Sequence, residues 1–184
     1  NEEQFLKLLN YVKNSDDEIY IILGAGCGLR RAEICGLHWK NIDFDNEEIS
    51  IESTVVRFNK TLEKNHKNET SARVIAAPSY VIETLNQYYN SLGKPGENQK
   101  VITRWKPQSL SERFNNLLDK FGMEHIRLHD LRHYNAVAMM NYGISDKVAA
   151  ERLGHSNVST LRDVYQHVLK EVDERAAKEI DKMF

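Results

Sequence analysis

The sequence predicts a mainly α domain carrying one small antiparallel β-sheet, an α+β fold, and three observations lead there. Apolar residues recur at three- and four-residue spacing through most of the 184 residues. One zone breaks that rhythm: Ile49, Ile51, Ser53 and Val55 alternate, and Arg73-Val-Ile-Ala76 forms a second extended run before Pro78. Between those runs, Lys60 to Thr70 is polar and reads as a flexible, basic hairpin, with Asn68 and Thr70 suited to a turn.

In chain order, Phe5, Leu8, Leu9 and Val12 mark an amphipathic first helix. Asp16 or Asp17 caps a second, Ile19 to Ala25, which is apolar almost all round and therefore buried. Glycines 24, 26 and 28 do not match the Gly-x-Gly-x-x-Gly spacing of a nucleotide loop, and close helix packing accounts for them. Cys27 and Cys35 fall in one helical region as buried, reduced thiols. Ile42 opens the sheet zone through the turn Asp43 to Glu48. Ser79 starts a helix to Leu92 with Val81, Ile82, Leu85 and Tyr89 on one face, and Gly93 to Asn98 is a loop. Ser109 to Phe121 is the next helix, built on Leu110, Phe114, Leu117 and Leu118. Tyr11, Tyr20, Tyr88 and Tyr89 are expected in the core, and Trp105 suits either core or surface.

The length suits one domain with a real core. No apolar run approaches a membrane span, and the opening Asn1-Glu-Glu-Gln has neither a leader pattern nor a Met, so the chain reads as part of a longer cytoplasmic protein. The net charge of −2 argues against a uniformly basic surface. Its distribution is uneven, however. Residues 1–18, 41–52 and 171–184 carry −3, −5 and −2, which leaves +8 on the remainder. Residues 94–106 alone hold four bases against one acid, with Trp105 between Arg104 and Lys106. A local positive face is compatible with a polyanionic partner.

The chemistry concentrates in Arg127-Leu-His-Asp-Leu-Arg-His133, Leu153-Gly-His-Ser156 and Val164-Tyr-Gln-His167. Asp130 reads as a helix start, and His129 and Arg132, three apart, lie on one side of that turn, where free N–H groups and the positive dipole end favour an anion. Gly143 closes this helix. Ser145 or Asp146 caps the next, 147–153, and Gly154 ends it with His155 at the junction. Ser159 or Thr160 then starts a helix bearing Tyr165. The set can hold a phosphodiester and bring a phenol to it. A zinc site is the weaker use of His129 and His133, because no Glu stands in a His-Glu-x-x-His frame and no third ligand is evident.

These motifs, in this order, resemble the second conserved block of the tyrosine recombinases, the lambda-integrase-like family. Gly28-Leu-Arg-Arg-Ala-Glu33 and Leu37-His-Trp39 resemble its first block. The likeness extends over nearly the whole chain, with Cys27 a mild departure where the family has a small polar residue. It implies a catalytic domain of the site-specific recombinase type. Arg30, Lys67, His129, Arg132, His155 and Tyr165 would be catalytic, with Lys64 the alternative to Lys67. Glu33 and His133 would support them, and Arg31, Lys64, Arg73, Arg104 and Lys106 are the candidate DNA-contacting cations. The expected partner is double-stranded DNA at attachment sites, with nucleoid association during action. Family members assemble as tetramers on synapsed DNA, aided by DNA-bending or directionality proteins. The helix at 171–184, with Val172, Ala176, Ile180 and Phe184 spaced at four, would dock on a neighbouring copy. No metal or cofactor is implied. A type IB topoisomerase or a non-catalytic DNA-binding module are the alternatives.

Overall fold

A computed structural model describes residues 2–58, 60–65 and 72–155, with the side chains of residues 53–65 outside the description. Lys67, the turn residues Asn68 and Thr70, the helix start at Ser159 or Thr160, Tyr165, His167 and the helix at 171–184 lie outside the described residues, and for Lys64 only the backbone is described.

The order is α1 (Glu2–Val12), α2 (Asp16–Ala25), α3 (Arg31–Gly36), a 3₁₀ turn (Trp39–Asn41), β1 (Ile42–Asp43), β2 (Glu48–Ile51), β3 (Ser53–Phe58), β4 (Lys60–Asn65), β5 (Arg73–Ala76), α4 (Ser79–Ser91), α5 (Pro107–Phe121), α6 (Leu128–Asn141) and α7 (Asp146–Leu153). Helix α2 is the axis of the fold. Every residue from Asp17 to Ala25 is buried, as its unbroken apolar run requires. Helix α6 crosses it at Gly24, where an added Cβ would stand 3.2 Å from Leu131 Cβ. Tyr20 packs edge-on to both Trp105 and Phe114 and so joins α2 to α5. The polar start of α2 is held as firmly: Asp17 takes an ion pair from Arg113 and a hydrogen bond from the Tyr20 hydroxyl.

The sheet is antiparallel in the order β1-β2-β5, with Ile49 opposite Ile75. The strand read as continuous from Ile49 to Val55 breaks at Glu52, and its second half pairs instead with β4 in a separate two-stranded ladder. Residues 60–65, part of the stretch read as a basic hairpin, are paired with β3 from Ser53↔Asn65 to Phe58↔Lys60. The sequence points to the hairpin, but the extent of its second strand is set by the ladder partner, which a propensity argument cannot see.

Several helix ends differ from expectation for one shared reason. Asp130 does not start α6. It sits at the third helical position and accepts from the backbone N–H of Arg127, the true cap, at 2.8 Å. Ser109 likewise accepts from Lys106 N at 3.0 Å, with Pro107 first in α5. Ser15 rather than Asp16 precedes α2. Cys27 lies between α2 and α3 rather than in a helix with Cys35. Both thiols are buried, and burial pushes each up to about 12. Tyr11 is 52% exposed and lies against Phe121, so it is not a core residue.

Candidate functional site

Three separate segments meet where α7 ends. The first is the turn after α2. Gly28 has φ +66°, and a Cβ there would meet Leu153 Cδ2 at 2.5 Å and Asn135 Oδ1 at 2.8 Å, so the tight reversal demands glycine. The chain then enters α3 with Arg30 as its cap. Glu33, wholly buried, accepts from Arg30 N at 2.8 Å and from Arg30 Nη1 at 2.8 Å. The second segment is the first turn of α6, which directs Arg132 inward with a side chain 3% exposed. Its Nη1 donates to Gly28 O at 2.6 Å and Nη2 to Leu153 O, and its guanidinium stands 4.0 Å from Glu33. The third is β5. Arg73 donates from both terminal nitrogens to the two Glu33 oxygens at 3.0 Å, and from Nε to Arg152 O at 2.7 Å.

The last carbonyls of a helix have no partner within it and form the negative end of its dipole. Here Arg73, Arg132 and Arg30 bind the successive carbonyls of Arg152, Leu153 and Gly154, the last at 2.6 Å. Gly154, at φ +64°, turns the chain out of α7 and delivers His155, whose N–H closes back on Ala150 O at 2.9 Å. The His155 Nδ1 is buried and has no hydrogen-bond partner among the described residues. Burial first, then the charges of Arg132, Arg30 and Arg73, push this histidine down to about 4. Burial alone would raise the Glu33 carboxyl, but hydrogen bonds and charge from Arg73, joined by those of Arg30, overcome it and hold Glu33 at about 2. The carboxylate is therefore ionised and His155 is neutral at pH 7.

Beside this cluster lies a cleft of about 500 Å³ lined by Arg30, Arg31, Ser111, Asn115, Arg127 and His129, among others. The His129 ring meets the His133 ring edge to face at 4.7 Å. Burial, then the neighbouring His133 and Arg132, lower the His129 pKa, and burial also lowers that of His133 despite Asp130 4.0 Å away. Arg31 reaches Ser111 Oγ at 2.8 Å on the exposed wall.

The structure thus brings Arg30, Glu33, Arg132 and His155 into one cluster, with His129 on the adjoining cleft and His133 behind it. Arg73 needs correction as a DNA-contacting cation, because all three of its guanidinium nitrogens are directed onto Glu33 and Arg152 O. The sequence held a signal for this: strand alternation puts Arg73 on the face of buried Ile75, opposite exposed Val74. Arg104 pairs with Asp16, and neither it nor Lys106 lines the cleft. Arg127 does line it, although the motif it opens gives it no role of its own, and Asn135, to which the sequence assigns none either, donates its amide to Ala25 O at 2.8 Å and Gly26 O at 3.0 Å and secures the end of α2. Among the described residues, no group of three or more His, Cys, Asp or Glu could hold a metal ion, and no helix is long and apolar enough to cross a membrane.

Comparison with known proteins adds the following. The family model described as phage integrase family matches residues 1–172. The chain is 30% identical over 181 residues to a tyrosine recombinase of Pseudothermotoga lettingae, covering 96% of this chain and 57% of that protein. It is 25% identical over 210 residues to a XerC-like tyrosine recombinase of Caldanaerobacter subterraneus subsp. tengcongensis, covering 100% of this chain and 54% of that one. The chain therefore spans just over half the length of these relatives. Among solved structures, the integrase of transposon Tn1549 in complex with transposon right end DNA superposes with a TM-score of 0.77 at 21% identity, over 96% of this chain and 65% of that one. That last likeness speaks for the fold.

Proposed function

The chain belongs to the phage integrase family of tyrosine recombinases, and from that premise we propose that it is the part of a site-specific DNA recombinase that cuts and rejoins strands through a 3′-phosphotyrosyl intermediate. One observation supports this most. Two guanidiniums, from the cap of α3 and from α6, meet one buried carboxylate where the end of α7 delivers a neutral imidazole, beside an open cationic cleft.

A phosphodiester resists attack because its charge repels nucleophiles and its alkoxide leaves poorly. Arg30 and Arg132 bind the non-bridging oxygens and stabilise the charge that accumulates on them in the transition state. His155, neutral and with a ring nitrogen that has no partner among the described residues, contributes a further hydrogen bond. A phenol ionises near pH ~10, so Tyr165 needs a base to take its proton at neutral pH. His129, kept neutral by burial, serves as that base. The Tyr165 oxygen forms a bond to phosphorus as the bond to the 5′ oxygen breaks, and Lys67 gives that oxygen a proton. Attack by another 5′-hydroxyl reverses the step and reseals the strand, with no net consumption of bond energy. Membership of the phage integrase family supports a mobile element as the protein's setting, and a tetramer on synapsed DNA is proposed from the family resemblance alone.

The test is covalent capture. The intact protein is incubated with host or element DNA and denatured in detergent, and the protein-linked ends are sequenced beside a Tyr165→Phe control. Discrete ends that vanish in the control are expected. Scattered ends that vanish with the phenol would indicate topoisomerase-like relaxation instead. Binding without linked DNA would leave only a recognition module.

A further inference from the structure

Arg73 sits at the start of β5. Its guanidinium is sandwiched between Glu33 and Gly154. A Cβ on Gly154 would lie 2.7 Å from Arg73 Nη1 and 3.0 Å from its Cζ and would displace this guanidinium, while the φ of +64° favours glycine by itself. The bond from Arg73 Nε to Arg152 O at 2.7 Å is answered by one from Arg152 Nη1 to Ala76 O, also 2.7 Å. Strand β5 and the last turn of α7 therefore hold each other by guanidinium–carbonyl bonds running both ways.

The charge arithmetic matters more. Arg30 and Arg132 bring two positive charges to the site, but the ionised, wholly buried Glu33 lies beside both. With those three groups alone, the carboxylate would cancel half of the field available to a phosphate. The paired hydrogen bonds from Arg73 return the balance of these four groups to +2. A phosphodiester carries one negative charge and gathers more on its non-bridging oxygens as the fifth bond forms. A fixed site of higher positive charge therefore favours the transition state over the bound ground state.

We propose that Arg73 is a positioning residue for the transfer step: it neutralises Glu33 and fixes the end of α7, so that Arg30, Arg132 and His155 face the scissile phosphate, and it does this without touching DNA. The proposal rests on the reading that this cluster holds the scissile phosphate.

The experiment uses the intact protein and a duplex bearing its recombination site, nicked so that cleavage cannot reverse. Single-turnover cleavage at saturating DNA and the salt dependence of binding are measured for wild type, Arg73→Gln, Glu33→Gln and the double variant. Arg73→Gln is expected to slow cleavage about 100-fold, within the range for losing one electrostatic contribution. Its affinity should stay within about twofold, with no change in the slope of log K against log salt. Adding Glu33→Gln should recover about tenfold of the rate, because the buried charge that Arg73 had balanced is gone. Arg73→Lys, which keeps the charge but not the paired geometry, should fall between wild type and Arg73→Gln.

A weaker-binding Arg73→Gln with a salt slope reduced by about 1 and normal cleavage at saturation would make Arg73 a DNA contact and overturn the proposal. A double variant no faster than Arg73→Gln would overturn it too. Should Arg73→Gln fail to fold, the double variant decides: folding with measurable cleavage supports the proposal, and failure to fold removes it. If the wild type itself links to no DNA, the functional reading falls by itself. The Arg73 arrangement is then judged by NMR titration of His155, whose pKa should rise in Arg73→Gln and, if unmoved, counts against it.

Discussion

Six arginines divide into two groups that differ in almost everything except chemistry. Arg30, Arg73 and Arg132 converge on one buried carboxylate and on the last carbonyls of α7. Arg31, Arg104 and Arg127 stand at the surface, held by a hydroxyl or by a carboxylate that is itself partly exposed. Arg132 is 3% exposed and Arg127 is 79% exposed, although Arg127 caps α6 and Arg132 lies only five residues further on. An exposed ion pair in water adds little to stability and reorients readily. A buried guanidinium with several fixed acceptors is costly to disturb, but it reaches a transition state already oriented. In the function proposed above, the inner group serves the chemistry and the outer group the attraction of DNA.

That contrast can be broken at its strongest point first. Arg132→Met would leave Gly28 O and Leu153 O without their donor, and it should destabilise the protein by about 3 kcal/mol in denaturant titration. A change below about 1 kcal/mol would mean that the inner group is no more constrained than the rim.

The next effect is smaller and sharpens the electrostatics. His155 is held near 4 in the folded protein against an ordinary 6.5, so the unfolded chain binds more protons between those values. Its contribution is complete above about pH 6.5 and is lost as the pH falls toward 4. His129 and His133, also lowered, act in the same direction. Glu33, held at about 2 against 4.5, adds a second decline between pH 4.5 and 2 as it is forced to take a proton. Denaturant titrations across this range should show the upper decline diminished in His155→Asn. A profile identical to wild type would remove His155 from the account.

The parts legible in the sequence were those set by local rules. Three-four periodicity located the helices, Gly154 located the end of α7, and the spacing of His129 and Arg132 placed them on one turn. Long-range pairing supplied what was missed. The polar run from Lys60 to Asn65 is a strand only because β3 lies against it. Asp130 looks like a cap by residue type, yet its carboxylate reaches backward to Arg127. Arg73 could have been placed inward from its alternation with Ile75, but no local pattern says that its partner would be a carboxylate 40 residues earlier.

The most direct measurement compares neighbours in sequence across the two groups. Arg30→Ala and Arg31→Ala are each tested for single-turnover cleavage at saturating DNA and for the salt dependence of binding. Arg30→Ala should lose about 10³-fold in cleavage with binding little changed. Arg31→Ala should keep its cleavage rate within about twofold and lower the salt slope by about 1. If Arg31→Ala lost the cleavage and Arg30→Ala only the salt slope, the division between an inner catalytic group and an outer binding group would be wrong.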